Sequence, residues 1–255
     1  MIISVANEKV KYVRSLYRRR VRYRERHFVI EGVRLVREAF RAGIVPALLF
    51  YDERIDAIPG GRELLAEMQR GDSPAFAVSE RVMKALADTV SPQGVLAVVP
   101  LVELAPPAGP SLVLVIDRLR DPGNLGAILR SANAAGVEQV ILAPKTVDPY
   151  NPKVVRGAMG AHFRLPILAL SWPEIAEALT DVQVLLADVR AVRAYHEVDW
   201  TRPSALIIGG EAHGASREAK ELAAATIAIP MHGGAESLNA AVAASVILFE
   251  AARQR

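Results

Sequence analysis

The sequence predicts an α/β protein built from two domains. Short apolar runs alternate with segments of helical periodicity along most of the 255 residues, as they do where strands are joined by helices. A proline-rich stretch without periodicity indicates a linker at 100–110. The apolar run 112–116 does not alternate with polar residues, which is typical of a parallel strand buried on both faces. We therefore expect one domain over 1–99 and another over 111–255.

In the first domain, predicted strands and helices alternate as they do in small α/β domains. Its apolar runs are of strand length, and several helical segments lie between them. Strands are predicted at 28–30, 47–51, 75–78 and 94–99, and helices at about 32–42, 62–70 and 80–87.

The second domain is predicted to contain a mostly parallel sheet. Helical patterns fall between most of its apolar runs, and a parallel sheet covered by helices binds ligands at the carboxyl ends of its strands. Loops that follow these strands are therefore the first place to look for a site. The strands are predicted at 112–116, 139–142, 165–168, 183–187, 205–208 and 226–229.

The composition is that of a soluble globular protein and excludes several kinds of site. Half of the residues are hydrophobic (51%) and 23% are charged, which does not indicate disorder. There is no cysteine, so disulfides and thiolate metal ligands are excluded. The five histidines are not spaced as metal ligands are, and we predict no metal site; they are His27, His162, His196, His213 and His232.

Nothing in the sequence predicts a membrane segment. Residues 1–10 lack the basic stretch and apolar core of a signal peptide. The longest apolar run, 238–249, is interrupted by Asn239 and Ser245 and is shorter than a bilayer span. We expect a cytoplasmic protein in which this segment is buried within the fold or at a subunit contact.

A dense basic segment lies near the start of the chain. Residues 9–27 hold nine Lys or Arg residues against one acid, with Tyr12, Tyr17 and Tyr23 interleaved. This composition suits contacts to phosphates and stacking on unpaired bases, so RNA or another polyanion is the favoured partner. The alternative is a solvated, partly frayed helix. The expected contacts are Lys9, Lys11, Arg14, Arg18, Arg19, Arg20, Arg22 and Arg24.

The first of three notable loops follows the strand predicted at 112–116. It reads DRLRDPGNLGAILRSANAAG and leads through Gly123 and Gly126 into a helix, with Asn124 and Arg130 beside it. The amino end of a helix after such a turn binds anions through its free N–H groups. Neither a GxGxxG motif nor a P-loop lysine is present, so a nicotinamide cofactor and ATP are not favoured. An ion pair of Arg130 on the helix surface is the simpler alternative.

The other two loops follow the strands predicted at 205–208 and 226–229. In LIIGGEAHGAS, paired glycines allow close approach of a ligand to the backbone and precede Glu211, although an ordinary turn also explains them. In AIPMHGGAESLNAAVAASVILFE, Ser237 and Asn239 open an alanine-rich helix, for which Ser237 is the predicted N-cap. Together the three loops offer apolar walls, glycines and polar groups, as a ligand site requires.

In this order the three segments resemble the motifs of SpoU-type, or TrmH-like, RNA ribose 2′-O-methyltransferases of the SPOUT superfamily. The resemblance covers roughly residues 112–252, and residues 151–166 also look like a segment of that family. Residues 1–99 are similar, less distinctly, to a ribosomal-protein-like substrate-binding domain. The matching motif residues are Asn124, Gly126 and Arg130, then Gly210, Glu211 and Gly214, then Ser237, Leu238 and Asn239.

The resemblance implies a fold and a cofactor that the residue patterns do not reveal. It implies a C-terminal trefoil knot whose loops bind S-adenosylmethionine, and chemistry without a metal. The residues implied to line the cofactor pocket are Leu206, Gly209, Gly210, Ile229, Met231 and Leu238. Those implied to surround the reacting ribose are Asn124, Arg130, Glu211, Ser237 and Asn239.

The resemblance also implies a homodimer in which Arg130 reaches the site of the partner subunit. An arginine is effectively always protonated, so we expect Arg130 to clamp a phosphate rather than to act as a base. Lys153 and Arg156, in the segment 151–166, join the basic segment as expected RNA contacts.

The function expected on these grounds is methylation of a ribose 2′-hydroxyl in RNA, with ribosomal RNA of the large subunit preferred. The preference rests on the first domain, which resembles a recognition module, whereas tRNA members of the family typically carry short helical extensions. Two alternatives stay open. One is tRNA as the substrate, and the other is a catalytically silent RNA-binding protein that assists ribosome assembly.

Overall fold

The computed structural model describes residues 1–211, 214–234 and 236–255. These residues form two compact units. The first comprises Met1–Val102 together with Tyr150–Phe163, and the second comprises Glu103–Pro149 and Arg164–Arg255. The segment 150–163 thus belongs to the first unit, although it follows a strand of the second. The contiguous boundaries expected from the sequence stay a prediction.

The first unit is a four-stranded mixed sheet with helices on both faces. The strand order is β1-β4-β2-β3, and β4 runs antiparallel to both of its neighbours while β2 and β3 are parallel. Its elements are α1 (Glu8–Ser15), α2 (Arg19–Glu25), β1 (His27–Glu31), α3 (Val33–Arg41), β2 (Leu48–Tyr51), α4 (Gly61–Arg70), β3 (Ala75–Ala77), α5 (Glu80–Leu86), β4 (Val95–Pro100) and α7 (Pro152–Ala158), with 3-10 turns at Glu53–Ala57 and Ala161–Phe163.

Strand β4 explains why this sheet has two covered faces. Its side chains alternate, so that Val95, Ala97 and Val99 enter one hydrophobic cluster whereas Leu96 and Val98 enter the other. The first cluster also contains Val155 and Phe163 from the segment 150–163, and the second contains the buried residues of α1 and α5. A strand with two apolar faces therefore lies at the centre of the sheet, as its continuous apolar run requires.

The second unit is a parallel α/β sheet, as predicted. All five pairings in the order β10-β8-β9-β5-β6-β7 are parallel, and every residue of the central strand β5 is buried. Its elements are β5 (Leu112–Asp117), α6 (Pro122–Ala134), β6 (Gln139–Leu142), β7 (Ile167–Ala169), α8 (Trp172–Ala178), β8 (Gln183–Ala187), a 3-10 turn at Tyr195–Glu197, β9 (Ser204–Gly209), α9 (Arg217–Leu222), β10 (Ala225–Ile227) and α10 (Ala240–Gln254). The trefoil knot stays a prediction.

The two edge strands of this sheet differ from their predicted positions. β7 was expected at 165–168 and begins at Ile167. Pro166 precedes it and has no N–H to donate to a ladder, although its carbonyl accepts a bond from the backbone of Val140. β10 spans Ala225–Ile227 rather than 226–229, because Ala228 already pairs with Ala194 instead of β8. No helix in the described part of the chain is long and apolar enough to cross a bilayer.

Candidate active site

Two of the predicted loops leave neighbouring strands at the carboxyl edge of the parallel sheet. β5 ends at Asp117 and β9 ends at Gly209, and these two residues are partners in the strand register. The loop after β5 enters α6, and the loop after β9 carries Glu211. The side chain of Asn239, at the start of α10, bonds to Asn124 in the first turn of α6. Parallel pairing thus brings the three predicted segments together.

The paired glycines are required by close backbone contacts. A Cβ atom at Gly209 would lie 2.6 Å from the backbone nitrogen of Ala215, and one at Gly210 would lie 2.7 Å from the carbonyl oxygen of Arg118. Neither position has a positive φ, so the requirement is space rather than conformation. The loop after β9 therefore packs against its own continuation and against the loop after β5.

Three of the predicted catalytic side chains form one chain of hydrogen bonds. The Nδ2 group of Asn239 donates to Oδ1 of Asn124 at 3.0 Å, and Nδ2 of Asn124 donates to Oε1 of Glu211 at 2.8 Å. The Oδ1 atom of Asn239 accepts from the backbone of Ala241 at 2.8 Å, which fixes its amide orientation. The direction of every bond in the chain follows from these contacts. The polar ends of two helices are thereby tied to one carboxylate.

The start of α10 differs from its prediction. Asn239, not Ser237, is the N-cap, and its side chain accepts from the backbone N–H groups of Ala241 and Val242. Both Asn and Ser cap helices well, so the local sequence does not separate them. Ser237 lies two residues earlier, exposed, and lines the cavity described below.

Glu211 is an exposed residue whose carboxyl group is held by hydrogen bonds. Burial acts to raise the pKa of its carboxyl, but hydrogen bonds from the Asn124 side chain and from backbone N–H groups outweigh this effect. The pKa of Glu211 therefore lies below its ordinary value. The carboxylate is ionised at neutral pH and acts as a hydrogen-bond acceptor.

A cavity of about 640 Å³ opens beside this hydrogen-bonded chain. Its volume is within the range of small-molecule sites, and its wall combines apolar side chains with glycines and a few charged groups. Five of the six predicted cofactor residues line it, together with Glu211, Ser237 and Asn239 from the predicted catalytic set. The five are Gly209, Gly210, Ile229, Met231 and Leu238.

Leu206 is the predicted cofactor residue that does not line the cavity. Its side chain is fully buried in β9, whereas Ile208, two residues closer to the edge, does line it. Two residues of strand correspond to about 7 Å, which places Leu206 behind the cavity wall.

The sequence prediction missed three charged residues of the cavity wall, Asp188, Arg190 and Lys220. Asp188 follows β8, and its carboxylate accepts bonds from the backbone and the guanidinium of Arg190 at 2.9 and 3.2 Å. These bonds lower the pKa of Asp188. The signal available in the sequence was an acidic residue directly after a buried strand, which in other α/β proteins contacts a ligand.

A fully buried carboxylate supports the loop after β9. Asp117 is fully buried at the end of β5, and its Oδ2 accepts from the backbone N–H of Ser216 at 2.5 Å. Ser216 in turn caps α9 through a bond from Ala219. Asp117 therefore holds the returning end of the glycine loop, a role that no sequence pattern indicated.

Arg130 is separated from the other predicted catalytic residues. It lies six residues after Asn124 on α6, about 9 Å along the helix axis. Its side chain is exposed and forms no ion pair or hydrogen bond with the described residues. The structure of one chain thus does not bring Arg130 into the Asn124, Glu211 and Asn239 cluster.

Comparison with known families identifies the second unit. The model of the SpoU rRNA Methylase family matches residues 111–249, more than half of the chain. The chain belongs to the SpoU rRNA methylase family. A second family model, the MRM3-like substrate binding domain, matches residues 7–97 of this SpoU methylase.

Relatives of this SpoU methylase align over its whole length. The 23S rRNA (guanosine(2553)-2′-O)-methyltransferase RlmP of Bacillus subtilis is 34% identical over 97% of both chains. An AdoMet-bound rRNA methyltransferase from Sinorhizobium meliloti superposes with a TM-score of 0.86 at 31% identity, covering 99% of this chain and 97% of that one. A structure described for 2-OH methylation of C/U34 on tRNA covers only 58% of this chain but 97% of its own, with a TM-score of 0.51 and 31% identity.

The basic segment of the SpoU methylase forms two helices, α1 and α2, rather than one frayed helix. Most of its cations are exposed, but several already have partners. Lys11 pairs with Glu8, Arg24 with Glu25, Lys9 lies over the ring of Phe76, and Arg19 lies over the ring of Tyr23. The exposed members are Lys9, Lys11, Arg14, Arg18, Arg19, Arg20, Arg24 and Arg26.

Arg22 contradicts its prediction as an RNA contact. It is 3% exposed, and its guanidinium donates to the backbone carbonyls of Leu16 at 2.9 Å and Tyr17 at 2.8 Å. Arg22 therefore fixes the connection between α1 and α2. A run of basic residues does not reveal which member faces inward, because helical spacing here places one arginine toward the core.

The two expected RNA contacts outside the basic segment lie on α7, in the first unit. Lys153 is exposed, whereas Arg156 pairs with Asp88 at 2.7 Å. Among the described residues, no group of three or more His, Cys, Asp or Glu side chains is arranged to hold a metal ion. His213 lies outside the described residues.

Proposed function

We propose that this protein transfers a methyl group from S-adenosylmethionine to a ribose 2′-hydroxyl of large-subunit ribosomal RNA. The observation that carries the proposal is the hydrogen-bonded chain of Asn239, Asn124 and Glu211 at the wall of a ligand-sized cavity. Family membership and the activities named for the relatives support it.

The cavity fits the cofactor by its shape and its charges. A side chain at position 209 or 210 would clash with neighbouring backbone atoms, so only glycine fits at Gly209 and Gly210. Ile229 and Leu238 offer apolar surface to an adenine ring. The charged groups Asp188, Arg190 and Lys220 suit a zwitterionic ligand with a diol. When bound, S-adenosylmethionine supplies the electrophilic methyl group.

The side chains of the hydrogen-bonded chain are suited to orient the attacking hydroxyl. Methyl transfer is an in-line displacement, so the main task of the protein is alignment of the 2′-oxygen. Because Glu211 is ionised, it would accept a hydrogen bond from the 2′-hydroxyl. The hydroxyl proton would leave along this bond as the oxygen takes the methyl group and the sulfonium departs as a neutral thioether. Asn124 holds the carboxylate in place, and Asn239 holds Asn124. Ser237 contributes a hydroxyl at the cavity wall.

We further infer that the active form is a homodimer in which Arg130 acts on the partner subunit. Arg130 is exposed and lies away from the cluster of its own chain. The adjacent helix α10, which bonds to α6 through Ser245 and Ser131, exposes the large apolar side chains Val242 and Phe249. Arg130 would clamp a phosphate beside the reacting ribose, stabilising negative charge that develops on the oxygen.

Ribosomal RNA is preferred over tRNA because of the first unit. The tRNA-modifying structure covers 58% of this chain, whereas the rRNA relatives cover nearly all of it. The predicted first domain, residues 1–99, would bind the substrate, and the predicted second domain, residues 111–255, would carry the reaction. The cytoplasm is the expected compartment.

Calorimetry followed by ribose-methylation mapping tests the proposal. S-adenosylmethionine should bind the purified protein, and large-subunit RNA from cells lacking the gene should gain a 2′-O-methyl group. Glu211→Gln should lose this activity and retain cofactor binding, while the exposed Glu218→Gln on α9 should behave as wild type. RNA binding without cofactor binding would instead support a role as an assembly factor. Methylation of tRNA alone would contradict ribosomal RNA as the substrate.

Subunit mixing tests the dimer separately. Arg130→Ala and Asn239→Ala chains, each inactive alone, should regain part of the activity as heterodimers, because one of the two sites then has both residues. Purified heterodimers with no activity would contradict a shared site.

A further inference from the structure

The connection between α1 and α2 forms a small cationic cleft. A cavity of about 260 Å³ is lined by Lys11, Arg14, Ser15 and Arg18. Lys11 pairs with Glu8 at 2.7 Å, but both side chains are largely exposed, so this pair contributes little and is easily exchanged for another anion. Arg14 and Arg18 form no ion pair within the described part of the chain. The cleft therefore presents two uncompensated guanidinium groups to an anion.

An aromatic platform lies on α2, five residues after Arg18. Tyr23 is 38% exposed, with the guanidinium of Arg19 over its ring, 5.5 Å from the centroid. The edge of the same ring meets Tyr150, with 6.3 Å between centroids and an 80° interplanar angle. The ring is thus held by contacts on two sides while part of it faces solvent. Such a fixed aromatic surface is suited to stack on a base.

The other two tyrosines of the basic segment are not available in this way. The hydroxyl of Tyr17 donates to the carbonyl of Leu86 at 2.6 Å, and burial raises its pKa. Tyr12 is partly buried and packs against the cluster that contains Val10 and Val13. Of the three interleaved tyrosines, Tyr23 is the exposed one.

Arg22 fixes the cleft relative to the platform. Its two bonds to the carbonyls of Leu16 and Tyr17 hold the turn from which Arg18 projects, and it belongs to the same helix as Arg19 and Tyr23. The cleft and the platform are consequently parts of one rigid surface, defined here by Lys11, Arg14, Arg18, Arg19 and Tyr23 and called the α1–α2 surface.

We propose that the α1–α2 surface binds an unpaired nucleotide stretch of RNA, with a phosphate in the cleft and a base on the Tyr23 and Arg19 platform. This inference rests on the proposed function, since it names a feature of the substrate. A base within a duplex is stacked on both sides and offers no face to a side chain, so the surface selects single strands. The phosphate contacts position the strand without reading its sequence.

The experiment measures binding of the full-length protein to a single-stranded RNA of about ten nucleotides, within the site sizes of such surfaces, and to the corresponding duplex. Tyr23→Ala should weaken single-strand binding by about 5- to 150-fold, and Tyr23→Phe should retain it. Neither change should alter duplex binding by more than about twofold, because duplex contacts are to phosphates.

The cleft is tested by salt dependence. Arg14→Ala/Arg18→Ala should reduce the slope of log affinity against log salt by about 0.7 per lost phosphate contact. The control Arg34→Ala/Arg70→Ala removes the same charge from exposed positions on α3 and α4 and should leave the slope unchanged. An equal change in the control, or a Tyr23→Ala protein that binds single strands as wild type does, would overturn the proposal.

Cofactor calorimetry separates failure of this inference from failure of the proposed function. All of these variants should bind S-adenosylmethionine as wild type does, because the α1–α2 surface is outside the cavity. If the wild-type protein binds single strands through Tyr23 but methylates no RNA, the proposed activity is wrong and the proposed RNA-binding surface is supported. If Tyr23→Ala does not change methylation at RNA concentrations below saturation, the proposed RNA-binding surface is wrong and the proposed activity is supported.

Discussion

The two sheets of this protein have similar sequence rhythms but different topologies, and the difference decides where a site can form. In the six-stranded sheet every pairing is parallel, so the loops after β5, β8, β9 and β10 leave from one edge. In the four-stranded sheet β4 runs opposite to both neighbours, so its carboxyl end lies at the edge opposite to those of β1, β2 and β3. The first arrangement gathers the loops after β8, β9 and β10 around a cavity of about 640 Å³, whereas the second places the loops after β2 and β3 beside a smaller cavity of about 340 Å³.

In the first unit, the cations expected to bind RNA lie instead on helices that pack against the mixed sheet. These cations lie on or beside α1, α2 and α7, and three of them line the small cleft between α1 and α2. An extended cationic surface suits a polymer, and an enclosed cavity suits a cofactor. Changes at the parallel sheet should therefore affect the reaction, and changes at the mixed sheet should affect folding or RNA binding.

The largest effect is expected at the edge of the parallel sheet. Asn124→Ala removes the link between Asn239 and Glu211, and we expect the methylation rate at saturating substrates to fall on the order of 10²-fold or more. Single-turnover methylation is the measurement. Asn133→Ala, at an exposed position on the same helix, is the control. A rate within threefold of wild type would mean that the chain of bonds is structural only.

A smaller effect is expected from filling the cavity wall. In Gly209→Ala the new methyl group meets the backbone of Ala215 at 2.6 Å, so the loop has to move. Overpacking of this kind costs about 1–3 kcal/mol in the free energy of folding. Because the displaced loop lines the cavity, we also expect the cofactor affinity measured by calorimetry to fall. Gly71→Ala, where the new atom would lie 3.6 Å from its nearest neighbour, should bind the cofactor normally. Unchanged affinity in Gly209→Ala would place the cofactor elsewhere.

The mixed sheet should respond in stability rather than in rate. Val155→Ala removes two methyl groups from a core position that is 2% exposed, and we expect a loss of about 2 kcal/mol in the free energy of unfolding. Denaturant titration measures it. Val45→Ala, at a position 67% exposed, should change stability by less than about 0.5 kcal/mol. If the two substitutions cost the same, segment 150–163 is not part of the core of the first unit.

The smallest effect concerns pH and the end of α10. Hydrogen bonds from Arg253 and Gln254 lower the pKa of Glu250 from its ordinary 4.5 to about 2. The carboxylate stabilises the fold fully above pH 4.5, and this contribution is lost as the pH falls toward 2. Glu250→Gln should therefore lower the melting temperature slightly at pH 7, and the difference from wild type should shrink below pH 4. A difference in melting temperature between the two proteins that persists at pH 2 would exclude this cause.

Most strands were predictable because each is an apolar run of the right length. The position of β4 between β1 and β2 was not predictable. Strand order depends on contacts between residues far apart in sequence, whereas hydrophobic periodicity is a local property. The break between α1 and α2 was missed for a related reason. It is stabilised by Arg22, whose inward orientation is visible only once its carbonyl partners at Leu16 and Tyr17 are placed.

The candidate site was predictable in its loops but not in its bonding. The three motif segments do meet, and Asn124 forms hydrogen bonds with both Glu211 and Asn239, which no sequence pattern indicated. The N-cap of α10 is Asn239 and not Ser237, two residues earlier. The sequence does not distinguish them, because both side chains are good helix caps. Asp188 has no motif around it, and its position at the cavity follows only from the place of β8 beside β9.

The segment Tyr150–Phe163 limits how this architecture is recombined. It is continuous in sequence with β6 and β7, yet its side chains complete the core around Phe28. A chimaera that exchanged only residues 1–102 for another recognition domain would leave Val155 and Phe163 facing foreign neighbours. Domain grafting in this protein therefore has to transplant two separate pieces of chain, and natural exchange of the recognition domain would be constrained in the same way.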